Sequence, residues 1–334
     1  MKIVYINTDP PSPGRAPSPG RAPSPGRTPS PGRASCPWRD AISQHLPEAS
    51  FWIWDEDDFD PADVDYALVW NPPPGVLARF RHLKGIVNLG AGVDALLRDT
   101  TFPGTVALVR LVDPLLTRGM VEYAVHWVLH FHRDFHTYAR HQRDHLWNPH
   151  PNADTAQRKI GILGMGALGQ GVANALTSLG FASIAGWSRR AKNIAGVQSF
   201  CGDDSLEDFL NHSEILLCLL PLTDTTQGLI NAQTLKHLPA GAFFINAGRG
   251  ALVVDADLQA ALASGHIQGA ALDVVNEEPL SPNSAYWDLQ NVFITPHIAS
   301  LTSPLSASAA VATALHAWEN GAIPDHIVDL NAGY

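Results

Sequence analysis

Gly164-Met165-Gly166-Ala167-Leu168-Gly169 lies between a strand-like run, Arg158 to Leu163, and a run with helical apolar periodicity, Gln170 to Leu176. That junction is where a G-x-G-x-x-G fingerprint has a physical use. Gly164 permits a tight turn, Gly166 lets the backbone approach a pyrophosphate, and Gly169 lets helix and strand pack closely. The free N–H groups at the start of the helix suit a phosphate. The whole loop, with Met165, Ala167 and Leu168 between the glycines, is therefore the candidate cofactor-binding loop of a Rossmann-type unit. Glycine-rich turns are common, so the reading needs a second signal.

The next strand-like run, Ala182 to Trp187, ends about where a ribose-reading residue should sit, roughly twenty residues on. Ser188-Arg189-Arg190 follows, with no carboxylate. An Asp or Glu there would accept hydrogen bonds from a bare 2'-hydroxyl and repel a 2'-phosphate, whereas an arginine fork pairs with phosphate oxygens. Ser188, Arg189 and Arg190 thus point to NADP(H) rather than NAD(H). The competing reading is a solvated arginine pair in a turn.

The chain has 334 residues, room for about two domains, and hydrophobic and charged fractions of 45% and 16%, those of a globular protein. A net charge of -10 argues against a nucleic-acid surface. Three scattered cysteines, Cys36, Cys201 and Cys218, fit a reducing compartment better than a disulfide framework. No long apolar run reads as a signal peptide or membrane span, so a cytoplasmic protein without membrane contact is expected. Residues 11–34 repeat Pro-Ser-Pro-Gly-Arg-Ala/Thr four times, which predicts a flexible basic insertion without a core. A polyproline ligand for a partner is its functional alternative.

Elsewhere short apolar runs alternate with helical patterns, the mark of doubly wound parallel sheets. Strands are expected at 2–6, 51–54, 66–70, 86–88, 106–110, 159–163, 183–187, 215–219, 242–246, 269–273 and 292–295. A long helix is expected over about 118–143 and a C-terminal one over about 303–320. The fold class is α/β with two parallel-sheet domains: a first unit over 1–117, a Rossmann unit over 118–299, and a return to the first unit over 300–334. A second glycine match, Gly90 to Ala95, leaves too little helix before Pro103 for a βαβ crossover. It reads as a ligand-lining loop at a strand's carboxyl end.

Three polar residues follow the last Rossmann strands, where open α/β sheets place their sites. They are Arg249 in Ile245 to Gly250, Glu278 in Leu272 to Leu280, and His297 in Ile294 to Ile298. Reduction of a 2-keto acid needs a cation for the carboxylate and carbonyl, and a proton donor for the developing alkoxide. Arginine supplies the first; a histidine steadied by a carboxylate supplies the second. Each residue also has a plain reading, as a helix-start anion binder, a turn residue before proline and a loop histidine.

Together these motifs resemble the D-isomer-specific 2-hydroxyacid dehydrogenase family, more narrowly its glyoxylate/hydroxypyruvate reductase A branch. The resemblance takes in nearly the whole chain outside the proline repeat, including Asn88 to Asp94, Leu219 to Thr223 and the C-terminal Gly333-Tyr334. It implies a flavodoxin-like substrate domain beside the Rossmann domain, and NADPH-dependent reduction of glyoxylate and hydroxypyruvate to glycolate and D-glycerate. It assigns Arg249 to the substrate's carboxylate and keto group, His297 to acid/base work and Glu278 to pairing with His297. It further implies that Ala91 and Gly92 offer amides to substrate, that Leu220 and Pro221 flank the adenosine and that Asp273 faces the nicotinamide carboxamide. Trp70, before Asn71 to Pro74, would cover a small substrate, and Glu122 would help to orient the site. The resemblance also implies a homodimer, with Trp147 reaching the partner's site. Gly248 stands where the family usually has alanine, which predicts a looser backbone at Arg249.

His126, His130, His132, His136, His141 and His145 include three i,i+4 pairs. Without a H-E-x-x-H glutamate or nearby cysteine, the expectation is an interface or solvated face and no metal. The rival functions are a dehydrogenase of bulkier 2-keto acids and a non-catalytic dinucleotide sensor that binds a partner protein.

Overall fold

The computed structural model describes residues 1–7 and 36–334. The proline-rich segment 11–34 lies outside the described residues. The chain divides into two compact units, Met1–Leu115 with Thr302–Tyr334, and Leu116–Leu301.

The first unit is a parallel sheet of β1 (Lys2–Asn7), β2 (Ser50–Ile53), β3 (Tyr66–Trp70), β4 (Gly85–Asn88) and β5 (Ala107–Arg110). Its order, β2-β1-β3-β4-β5, is the flavodoxin-like winding. Helix α1 (Pro37–Ser43) and the single turn α2 (Asp94–Leu97) belong to it. Burial on both faces explains why these strands read as continuous apolar runs rather than alternating ones. Tyr66 and Leu68 enter one core with Ile42 and Leu315, while Ala67 and Val69 enter another with Phe80 and Leu96.

The second unit begins within α3 (Pro114–His132), at Leu116, and continues with α4 (Phe135–Arg143). Seven parallel strands follow: β6 (Lys159–Leu163), β7 (Ser183–Ser188), β8 (Val197–Cys201), β9 (Ile215–Cys218), β10 (Ala242–Asn246), β11 (Ile267–Leu272) and β12 (Val292–Ile294). The order β12-β11-β10-β9-β6-β7-β8 reverses between β6 and β9, the switch point of a Rossmann sheet. Between strands run α5 (Ala167–Ser178), α6 (Leu206–His212), α7 (Ala232–Leu235) and α8 (Asp255–Ala263). No helix among the described residues is long and apolar enough to cross a membrane.

Two sequence expectations need correction. Strand β8 was not anticipated, because an edge strand with Gln198, Ser199 and Cys201 exposed lacks the apolar run of the central strands. The helix expected over 118–143 is two helices, interrupted where Asp134 takes a left-handed conformation (φ 55°) that Asp tolerates better than most residues. The break also changes the histidines. They are unequally covered: His126 and His145 are exposed, His130 and His136 half-buried, and His132 and His141 buried. His130 packs edge-on against Phe293 at 4.7 Å and His136 against Phe243 at 5.2 Å.

The last helix, α9 (Pro304–Glu319), packs on α1 and completes the first unit's core with Val311 and Leu315. Its Trp318 ring lies flat on Gly85, where a Cβ would sit 2.5 Å from the ring carbon Cη2. Tyr66 Oη donates to Glu319 Oε1 at 2.7 Å, and Lys84 Nζ lies 3.0 Å from the same oxygen.

Gly85→Ala is expected to force Trp318 off the sheet and destabilise the protein by about 1–3 kcal/mol, read as a lower denaturant midpoint. A second expectation concerns acid. Burial, reinforced by the charges of His136 and His126, pushes His130 down to about 4 from 6.5, and burial lowers His132 and His136 too. The unfolded chain binds protons first, so stability is complete above about pH 6.5 and is lost as pH falls from there towards about 4. Urea midpoints measured across that window should drop, and less steeply in His130→Phe.

Candidate active site

The glycine loop joins β6 to α5. Gly164 has φ 102°, its N–H donates to the Trp187 carbonyl at 2.9 Å, and a Cβ there would come 2.7 Å from the Leu219 carbonyl oxygen. A methyl at Gly169 would strike the Gly164 carbonyl, whereas Gly166, exposed at the N-cap of α5, has only open space where its Cβ would be. Open space beside the N–H groups of a helix start fits a pyrophosphate. Gln170 Nε2 donates to the Met165 carbonyl at 3.1 Å and braces the loop. The Met165 side chain is buried against Gly186 and Leu168 packs partly on the same core, so these two present main chain rather than side chain to a ligand. Ala167 is half-buried.

Parallel pairing arrays three strand ends side by side. Leu163 of β6 is in register with Trp187 of β7 and with Cys218 of β9. At the end of β7, Ser188 Oγ donates to the Arg190 carbonyl at 2.7 Å, and Arg189 and Arg190 beyond it are exposed. Beyond β9 come Leu220, which is buried, and Pro221, whose carbonyl accepts from Thr226 Oγ1 at 2.7 Å. The loop thus has a cationic pair on one side and an apolar wall on the other.

Arg249 follows β10. The sequence reading missed the residue that shapes its turn, fully buried Asn246: its Nδ2 donates to the Arg249 carbonyl at 3.0 Å and its Oδ1 accepts from the Gly248 N–H at 3.1 Å. The available signal was a polar residue closing an otherwise apolar strand. These bonds also correct the expected looseness at Gly248, because the backbone there is pinned. A Cβ at Gly248 would lie 2.9 Å from the Leu220 carbonyl oxygen, so glycine is what the close approach allows. Arg249 Nη1 donates to the Gly248 carbonyl at 2.8 Å.

His297 and Glu278 meet as expected, with Nδ1 to Oε2 at 2.8 Å, and Glu278 Oε1 accepts from the Val275 N–H at 3.2 Å. A carboxylate on Nδ1 fixes that nitrogen as the N–H and leaves Nε2 for proton transfer. The hydrogen bond to Glu278 raises the His297 pKa despite opposing burial. For Glu278, burial pushes upward but is outweighed by the hydrogen bond and charge of His297, so its carboxyl sits below the usual range. The charge of Arg249 reaches both partners and lowers both.

Asp273, at the end of β11, is a buried carboxylate. Its Oδ1 accepts from Thr295 Oγ1 at 2.7 Å and from the Ile298 N–H at 2.8 Å, and its Oδ2 from the Ala299 N–H at 2.8 Å. Thr295 Oγ1 is in turn 2.8 Å from Tyr123 Oη. Glu122, the residue of this helix singled out from sequence, is instead exposed and paired with Arg118 at 3.0 Å.

In the first unit, the Trp70 indole lies directly on Gly90, and Asn88 Nδ2 donates to the Gly90 and Gly92 carbonyls, both at 2.9 Å. Asn88 therefore grips the loop by its acceptors and engages no N–H of Ala91 or Gly92. Pro72 and Pro74, with Leu96 and Asp99, line a cavity of about 400 Å³. Trp147, in the second unit, is 99% exposed.

The family described as D-isomer specific 2-hydroxyacid dehydrogenase, NAD binding domain, matches residues 125–299. The chain is 43% identical over 302 residues to glyoxylate/hydroxypyruvate reductase A of Serratia proteamaculans (strain 568), covering 89% of this chain and 96% of that one. A D-isomer specific 2-hydroxyacid dehydrogenase from Xanthobacter autotrophicus Py2, solved with NADPH and MES, superposes with a TM-score of 0.88 at 38% identity over 99% of both chains. An NADPH-dependent glyoxylate/hydroxypyruvate reductase from Sinorhizobium meliloti, solved with NADP and sulfate, gives 0.85 at 32% identity over 100% of this chain and 99% of that one. With a shared fold, a family match over more than half its length and this level of identity, the chain belongs to the D-isomer specific 2-hydroxyacid dehydrogenase family.

Proposed function

We propose that this protein is an NADPH-dependent reductase of small 2-keto acids, with glyoxylate and hydroxypyruvate as substrates. The observation that carries the reading is the His297–Glu278 pair within reach of the Arg249 charge, at the carboxyl ends of a Rossmann sheet. The cofactor is NADP(H), and the second unit is its domain. The Gly164–Gly169 loop holds the pyrophosphate, Arg189 and Arg190 the 2'-phosphate, and Leu220 and Pro221 the adenosine. Asp273 faces the nicotinamide carboxamide with its remaining acceptor capacity. NADPH, when bound, supplies the hydride.

Arg249 binds the substrate carboxylate and polarises the keto oxygen, and His297 delivers the proton from Nε2 as negative charge develops there. Glu278 keeps His297 protonated and correctly turned. The first unit is the substrate domain, in which the Ala91 and Gly92 amides and the Trp70 ring are the substrate-facing groups. The enzyme works as a cytoplasmic homodimer, with Trp147 presented to the partner.

Loss of absorbance at 340 nm with glyoxylate or hydroxypyruvate should be fast with NADPH and slow with NADH, and Arg189→Ala should narrow that difference. Equal use of both cofactors would remove the arginine pair from the 2'-phosphate. His297→Ala should abolish most turnover while NADPH binding survives. Arg249→Ala should lower kcat/KM at least about tenfold, the loss of one charge-assisted contact; an unchanged value takes Arg249 out of the site. Reduction needs protonated His297, so its rate should fall as pH rises through a pKa above the usual histidine value, and Glu278→Gln should move that fall to lower pH.

A further inference from the structure

We propose that Tyr123 and Thr295 are positioning residues for His297, acting through Asp273 as a relay that runs from helix α3 to the histidine loop. The inference rests on the reductase reading for its kinetic consequence, but not for its geometry.

The direction of the relay follows from proton counting. Asp273 Oδ1 only accepts, so the single hydroxyl proton of Thr295 is spent there, at 2.7 Å. The 2.8 Å contact between Tyr123 and Thr295 must then be Tyr123 Oη–H donating to Thr295 Oγ1. Burial holds the Tyr123 phenol far above its ordinary pKa, so the donor keeps its proton. Asp273, with its orientation set, takes the N–H groups of Ile298 and Ala299 on its two oxygens, while its own carbonyl accepts the His297 N–H at 2.8 Å. Three successive amides thus point at one residue. That convergence is what holds His297 at φ 55°, a region a residue with a Cβ rarely occupies unless its surroundings impose it. Helix α3 secures the far end of the same loop, where Ser300 Oγ donates to the Leu116 carbonyl.

The consequence falls on the imidazole. Its 2.8 Å bond to Glu278 depends on where the His297 backbone places the ring. The charged groups acting on it are Glu278, Arg249 and Asp273. If the relay is cut, the loop relaxes, the bond to Glu278 weakens and His297 loses its proton at lower pH.

The test follows the His297 imidazole by NMR titration of the full chain labelled at histidine nitrogen, its signal assigned by its absence in His297→Gln. Tyr123→Phe and Thr295→Val should each lower the pH at which His297 titrates. They should also cut kcat about three- to tenfold with NADPH affinity nearly unchanged. The double variant should be no worse than the weaker single, because the two act in series, and Thr295→Ser should behave as wild type. Wild-type titration in both singles overturns the proposal. If wild-type protein reduces no 2-keto acid, the reading of the reaction fails while the titration still decides the relay.

Discussion

A carboxylate removed from water must be met by donors, and at Asp273 they come from a single short loop. Leaving such a charge unpaired costs several kcal/mol, so the loop is bound to the end of β11 as firmly as the sheet itself. His297 is thereby carried on the sheet rather than on a freely moving segment. Its side-chain partner, Glu278, has one oxygen held by the Val275 N–H, only two residues beyond Asp273. Backbone and side chain of His297 are thus aimed from the same strand end.

The same economy appears at Arg249. Asn246 closes β10 with a buried amide whose two ends grip the turn carrying the guanidinium, in the way Asp273 closes β11. In the first unit Asn88 closes β4 and grips the loop through Gly90 and Gly92. A polar residue at the last position of, or just beyond, an apolar parallel strand recurs as the device that turns a rigid sheet into a shaped loop. The parallel architecture supplies the common direction that gathers these ends on one edge of each sheet.

Much of this was legible in the residues. The glycine fingerprint named the Rossmann unit because its three glycines have separate steric reasons, and two of those reasons are visible as the near-collisions a Cβ would make at Gly164 and Gly169. Arg249, Glu278 and His297 could be named as candidates because few residue types can do such chemistry, and the family resemblance supplied the pairing of His297 with Glu278 that the structure shows. What escaped was set by tertiary context. Strand β8 has no apolar run, since an edge needs none, and the break at Asp134 turns on one left-handed residue in an otherwise helical pattern. Tyr123 passed unnoticed beside Glu122 because spacing says which residues share a helix face, not which hydroxyl will find Thr295 across the loop.

Trp318 on Gly85 has a consequence for the order of synthesis. The core of the first unit is finished only by a helix from the last tenth or so of the chain, whereas the second unit is built wholly from residues between. On the ribosome the amino-terminal sheet therefore emerges first and is completed last, waiting with one face uncovered while the later unit can already close. A chaperone that shields a half-made sheet has its longest opportunity on the segment synthesised earliest.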